Sequence, residues 1–232
     1  GQDSSFQVDR VSFVNVPSFA YKANQRLQVR RPGNNYDIGF GGAFYAYVDV
    51  EQPALAGMFE LLAHENNRLM EFGMAIKNAV INQHVPRHPV HKDLSFLYGT
   101  IFTKALKQPQ RNPQQHQMYY RHVCVFADGE IDRCPTGTGK FNCRVRLGFT
   151  IGHRCERLPG SGVNCIAVES VIRSRFTAYI VERIKYHGYD AVRPRVCGNA
   201  HITGFPRFVI EAEDPLRHGF LLQGSNLLTT QH

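Results

Sequence analysis

Between Ala56 and Gln83, apolar residues at 58, 61, 62, 69, 72, 76, 79 and 80 recur at close to the helical period. That spacing predicts one amphipathic helix, and Pro86 and Pro89 predict its end. The rest of the pattern is that of strands. Val11 to Tyr21 reads as an extended segment broken at Pro17, and Leu27 and Val29 lead through Arg30 to a turn at Pro32-Gly33-Asn34-Asn35. Ile38 to Val50 is rich in Phe, Tyr and Val, with Gly41-Gly42 permitting close backbone approach. Leu94 to Thr103 and His122 to Ala127 are further strand candidates. Ile166 to Ile172, Phe176 to Ile184, Ala191 to Val196, His201 to Thr203 and Phe208 to Glu211 follow as short strands. Turn residues separate the later ones at Gly188, Gly198-Asn199 and Gly204. Many strands with few helices predict an α+β fold.

Two stretches break the alternation. Lys104 to Tyr120 is polar, Gln-rich and interrupted by Pro109 and Pro113, as expected of a solvated hairpin tip or inserted loop. Asp128 to Lys140 runs from an acidic turn into Pro135-Thr136-Gly137-Thr138-Gly139, ahead of a helix candidate from Lys140 to Leu147. A Gly-rich loop at a helix start leaves backbone N–H groups free to converge on a carboxylate or phosphate. Asp132, four residues before Thr136, supplies a carboxylate for an ammonium group. Donors for an anion beside a carboxylate suit a zwitterion such as an amino acid.

Composition narrows this picture. The 232 residues allow one large domain or two small lobes, and 43% are hydrophobic, enough for a packed core. No run of 18 apolar residues occurs, so a membrane span is not expected. Gly1 to Arg10 lacks the basic-then-apolar order of a secretory signal. The net charge of +8 comes from 27 basic and 19 acidic residues, with loose clusters at Arg26, Arg30 and Arg31, at Arg144, Arg146, Arg154 and Arg157, and at Arg173 and Arg175. The clusters fit either a solvated basic face or a surface for an acidic partner such as RNA, although no RNA-binding signature accompanies them. Cysteines at 124, 134, 143, 155, 165 and 197 form no Cys-x-x-Cys pair, so no zinc is expected and free thiols in a reducing, intracellular compartment are.

An ordered set of motifs then carries a resemblance. It comprises Val16-Pro17-Ser18-Phe19, Gly41-Gly42-Ala43-Phe44-Tyr45-Ala46, Leu97-Tyr98-Gly99-Thr100, and Val125-Phe126-Ala127-Asp128-Gly129 with Asp132-Arg133. It continues through Pro135-Thr136-Gly137-Thr138-Gly139, Gly198-Asn199-Ala200-His201-Ile202-Thr203-Gly204, and Asp214-Pro215-Leu216 before Gly219-Phe220. Together these resemble the proline racemase family, most closely its trans-3-hydroxy-L-proline dehydratase branch.

The resemblance implies a lobe like those of diaminopimelate epimerase, with a mixed, strongly bent sheet around a central helix. In that family two such lobes face each other across the active-site cleft, without metal or cofactor. Racemases place one cysteine from each lobe on either side of the substrate Cα; the dehydratase branch has threonine at the second position. The resemblance thus assigns Thr136 to that catalytic position and Asp132 to the substrate nitrogen. It assigns Gly137 and Thr138 to the carboxylate cradle and Phe126 to an aromatic wall. It implies a hydroxyproline-like substrate. It also implies that residues 1–33 correspond to the end of a first lobe and a linker, 34–213 to the second lobe with 104–120 inserted, and 214–232 to a return segment and tail.

Departures from the family pattern bear on activity. The Cys-Gly-His of the first lobe does not occur here, and the only Cys-Gly is Cys197-Gly198. Cys134 stands where the family has serine, Lys140 where it has threonine, and Arg146 at an alanine position. Cys134, two residues from Thr136, is expected to be buried and inert. The expectation is a dehydratase-type lobe whose turnover is impaired as this chain alone. The alternative is a non-catalytic structural subunit, its cleft wall covered by a protein partner, in an RNA-containing or mitochondrial assembly.

Overall fold

The computed structural model describes residues 8, 10–29, 31–107, 117–137 and 165–219, excepting the side chains of 28, 29, 31–34 and 117. The chain divides into two units, residues 7–200 and residues 1–6 with 201–232.

Within residues 7–200 the strands are β1 (Val11–Val14), β2 (Ser18–Val29), β3 (Arg31–Phe40), β4 (Phe44–Asp49), β5 (Leu97–Leu106), β6 (Gln117–Phe126), β7 (Glu130–Ile131), β8 (Cys165–Glu169), β9 (Arg175–Tyr186) and β10 (Tyr189–Gly198). Helix α1 (Asn66–Gln83) crosses from β4 to the parallel β5. The strand order is β10-β2-β3-β4-β5-β6-β8-β9, and β9 pairs again with β10, so the sheet closes into a mixed barrel. The expected bent sheet around a helix is therefore corrected to a closed sheet with α1 against one face. Closure leaves few unpaired backbone groups, which an open bent sheet could not achieve.

The first extended run lies along a single neighbour. Val11 pairs with Gly198, Asn15 N–H donates to the Pro194 carbonyl across 2.7 Å, and Ser18 pairs with Val192. Pro17 interrupts this run, as its missing donor requires. β9 and β10 are joined at His187 and Gly188, both at positive φ (46° and 89°), the twist that a tight hairpin demands.

Alternation sorts the side chains onto two faces. Phe102, Val123 and Val125 join Phe19, Ile38, Phe44, Phe59, Leu69, Phe72, Ile76 and Val80 in the main core between sheet and helix. Ile101 and Cys124, one position out of phase, lie with Tyr45 and Tyr47 in a separate cluster. Leu69, Phe72, Gly73, Ile76 and Val80 are the buried stripe of α1. At Gly73 the helix comes so close that a Cβ would lie 2.8 Å from Val125, and the Thr100 hydroxyl donates to the Gly73 carbonyl across 2.9 Å.

Several expected boundaries move. The helix begins at Asn66, not Ala56. Gly57 and Leu61 sit at φ 75° and 59°, outside the right-handed helical region, and the Glu65 carboxylate accepts from the Glu60 and Leu62 N–H groups. Pro32 to Asn35 belongs to β3, because the β2–β3 register turns between Val29 and Arg31. Gly41-Gly42 is the link between β3 and β4, which pair antiparallel. The polar 104–120 stretch is a hairpin whose strands reach Leu106 and Gln117; residues 108–116 lie outside the described residues. The helix expected from Lys140 to Leu147 also lies outside them.

In the other unit, His201–Gly219 is described. Neither His201–Thr203 nor Phe208–Glu211 is a strand; Phe205, Phe208, Val209 and Ile210 are 75–87% exposed. A strand needs a neighbour, and no pairing to these residues occurs among the described ones. No helix among the described residues is long and apolar enough to cross a membrane.

Candidate active site

The candidate site forms where β6 ends. After Phe126 the chain turns through Ala127 (φ 45°) and Gly129 (φ 118°), closed by Gly129 N–H donating to the Phe126 carbonyl across 2.9 Å. β7 returns against β6, pairing Ile131 with Val125, and Asp132 N–H donates to the Cys124 carbonyl across 3.1 Å. From α1, the Lys77 ammonium donates to the Ala127 carbonyl and fastens the turn to the helix. Burial pulls the Lys77 pKa down, and Asp128 and Glu130 partly oppose that.

These contacts place Asp132 at the centre of a small polar knot. The Thr136 hydroxyl donates to Asp132 Oδ2 across 2.7 Å, and the Cys134 thiol donates to Oδ1 across 3.7 Å. Thr136 is 4% exposed while Asp132 is half-buried. Cys134 is half-buried, not buried as expected, and its thiol is tied to Asp132. Thr136 sits at φ 58°, a region that costs a residue with a Cβ about 1–2 kcal/mol. Strain of this kind at a β-branched residue persists only where its surroundings over-determine it.

Cys124 lies behind the knot, and sequence reasoning did not connect it to the site. Its carbonyl accepts from the Asp132 N–H, which sets it against the knot. Burial, reinforced by the Asp132 charge, pushes its pKa far above the usual thiol range against the smaller effect of the Thr136 contact. Cys124 is therefore a protonated thiol at neutral pH. The available signal was its place in the β6 alternation, in phase with Phe126.

Phe126 is half-buried, its ring 5.6 Å from that of Tyr98, which meets Tyr45 edge-on at 5.8 Å. The three rings form an aromatic wall in the cluster that contains Cys124. Gly137 has a neighbour no motif suggested: a Cβ there would meet the Phe13 ring at 3.5 Å. The structure thus brings Asp132 and Thr136 into contact and sets Phe126 beside Cys124. Thr138 lies outside the described residues. No group of three or more His, Cys, Asp or Glu among the described residues could hold a metal ion.

Chemically, the knot offers a fixed carboxylate for a cation and a hydroxyl whose proton is committed to that carboxylate. The aromatic wall is built across three neighbouring strands, with Phe126 from β6, Tyr98 from β5 and Tyr45 from β4. A carboxylate positioned by two donors loses little entropy on binding an ammonium group.

The chain as a whole is similar to known proteins. The family model described as proline racemase matches residues 2–221. A trans-3-hydroxy-L-proline dehydratase from Colwellia psychrerythraea is 39% identical over 217 residues, covering 93% of this chain and 56% of that protein. One of the same description from Bacillus cereus is 34% identical over 219 residues, covering 94% of this chain and 60% of that protein. Among solved structures, a hydroxyproline epimerase from Agrobacterium vitis with bound trans-4-hydroxy-L-proline superposes with a TM-score of 0.71 at 26% identity. That match covers 96% of this chain and 60% of the epimerase. The chain thus spans well under two thirds of the length of the dehydratases it matches.

Proposed function

This chain belongs to the proline racemase family, and we propose that it forms one wall of a trans-3-hydroxy-L-proline dehydratase-type cleft. The observation that carries this reading is the 2.7 Å bond from Thr136 to Asp132, the two residues to which the resemblance assigns the branch's threonine and its nitrogen-binding acid. In this reading Asp132 pairs with the ring ammonium, Gly137 and Thr138 cradle the carboxylate, and the aromatic ring of Phe126 flanks the substrate. The overall reaction removes the Cα proton and expels the C3 hydroxyl as water. The enamine left behind tautomerises to pyrroline-2-carboxylate.

Threonine at this position favours elimination over racemisation. An aliphatic hydroxyl gives up its proton far less readily than a thiol, so it is a poor donor to a carbanion-like Cα. The base for the first step is not supplied by Cys124, which burial keeps protonated. In this proposal that base comes from a first lobe facing this wall, and the described lobe binds substrate without turning it over.

Calorimetric titration of the purified chain with trans-3-hydroxy-L-proline, alongside an assay for pyrroline-2-carboxylate, tests this. Saturable binding that Asp132→Asn and Thr136→Val each weaken, with no product formed, is the expected result. Absence of binding at millimolar substrate removes the reading.

A second reading, a non-catalytic subunit covered by a protein partner, draws on a different observation. Phe205 and Phe208 are 87% and 84% exposed, and exposed aromatic rings so close in sequence are what a partner would cover. Size-exclusion chromatography with light scattering on the purified chain separates the two, since a chain that is monodisperse, monomeric and binds hydroxyproline does not need the second.

A further inference from the structure

On the barrel wall formed by β1, β10 and β9, an open groove of about 490 Å3 is lined by Arg10, Ser12, Tyr179, Val181, Arg195 and Cys197. We infer that this groove is a binding site for a dianionic phosphate group, carried by a phosphomonoester with a small planar body.

The strand register builds the site. Ser12 pairs with Cys197 and Arg195 pairs with Tyr179, so side chains from three adjacent strands stand on one face. The Arg10 guanidinium donates to the Tyr179 hydroxyl across 3.3 Å and lies 6.0 Å over its ring. That contact holds one cation at the rim. Arg195 is exposed and has no carboxylate partner among the described residues. The acid nearest in register, Glu182, is taken by Arg193 across 2.9 Å. Among the described residues no Asp or Glu lines the groove.

Two guanidiniums without a carboxylate partner among the described residues, together with two hydroxyls, make a donor set for an anion. Planar guanidinium forks match the oxygen pairs of a phosphate, and Ser12 and Tyr179 can donate to the remaining oxygens. The Tyr179 ring and Val181 supply an apolar flank for the body of the ester. The volume is within the range of small-ligand sites. The groove shares no residue with the knot at Asp132 and Thr136, so phosphate binding here is independent of the function proposed above.

The test is calorimetric titration of the full chain with phenyl phosphate and, separately, inorganic phosphate at low ionic strength. Saturable one-to-one binding is expected, tighter for phenyl phosphate than for inorganic phosphate. Arg195→Ala and Arg10→Ala each weaken it by about tenfold or more, and Arg195→Lys weakens it less, because charge remains while the fork is lost. Thr136→Val leaves it unchanged. Arg195 is exposed, so its replacement does not endanger folding, and unchanged circular dichroism checks this. The inference is overturned if neither compound binds saturably, if Arg195→Ala binds as the native chain does, or if Thr136→Val abolishes binding, which would assign the anion to the Thr-Gly loop.

Discussion

The Thr136 hydroxyl and the Asp132 carboxylate meet across 2.7 Å, with the threonine almost wholly buried and the aspartate half-open. The bond turns a strained backbone position into a fixed one. It also fixes the orientation of the acid, whose other oxygen accepts from the Cys134 thiol.

Replacing Thr136 by Val removes that donor while keeping the shape. Loss of a hydrogen bond to a charged, partly buried acceptor is expected to lower unfolding free energy by about 1–3 kcal/mol. Thr136→Ser restores most of it. Urea unfolding followed by circular dichroism measures the difference, and a Val variant as stable as the native chain would show that the bond carries no net energy.

Gly99 and Gly73 set how closely the chain packs beneath the site. A Cβ at Gly99 would lie 2.3 Å from the Val125 carbonyl oxygen, and one at Gly73 2.8 Å from Val125 Cβ. Gly99→Ala has to displace backbone and Gly73→Ala to part helix from sheet, so each is expected to destabilise by about 1–3 kcal/mol or more. Gly188→Ala meets no atom within 4 Å, but it sits at φ 89°, so its smaller loss comes from backbone strain alone. Ranking the three by midpoint of chemical denaturation checks the order.

Histidine 88 predicts a pH dependence. Its Nδ1 accepts from the N–H groups of Val90 and His91 at 3.2 and 2.9 Å, which requires that nitrogen to be unprotonated. Burial against Phe40 lowers its pKa below the usual 6.5, with His91 and His187 adding to the effect. The unfolded chain takes up the proton first as pH falls. Stability is therefore full above about 6.5, declines below it, and levels off once the lower folded value is passed. His88→Asn, which keeps an acceptor but does not titrate, is expected to flatten this part of the stability curve. An unchanged slope would place the dependence on other groups.

Thiol labelling separates the two cysteines of the site. Cys124 is 1% exposed and its pKa is driven upward by burial, whereas Cys134 is partly accessible. Iodoacetamide at mildly alkaline pH is expected to leave Cys124 unmodified until denaturant is added, since both access and thiolate are missing. Mass spectrometry of the labelled peptides reads this directly, and alkylation of native Cys124 would contradict its placement.

Lys77 links helix to site through the Ala127 carbonyl. Lys77→Met keeps the buried stem and removes the donor. The expected result is a small change in global stability, with amide exchange at Gly129 accelerated by about tenfold, as befits a local opening. Exchange that is unaltered would mean the turn holds without the lysine.

The local chemistry of this protein was legible from its sequence. The spacing of Asp132 and Thr136, the turn at Asp128-Gly129, the break at Pro17 and the apolar stripe from Leu69 to Val80 are each written within a few consecutive turns or pleats. Backbone sterics and side-chain alternation act over that range. Tertiary structure alone decided that Arg10 meets Tyr179, that Phe13 lies against Gly137, and that β9, β10 and β2 close the sheet. It also set the helix start at Asn66 and drew Pro32 to Asn35 into β3. Pairings between distant segments depend on which faces can be buried together and in which register. That choice is made by the whole core at once, and no single segment records it.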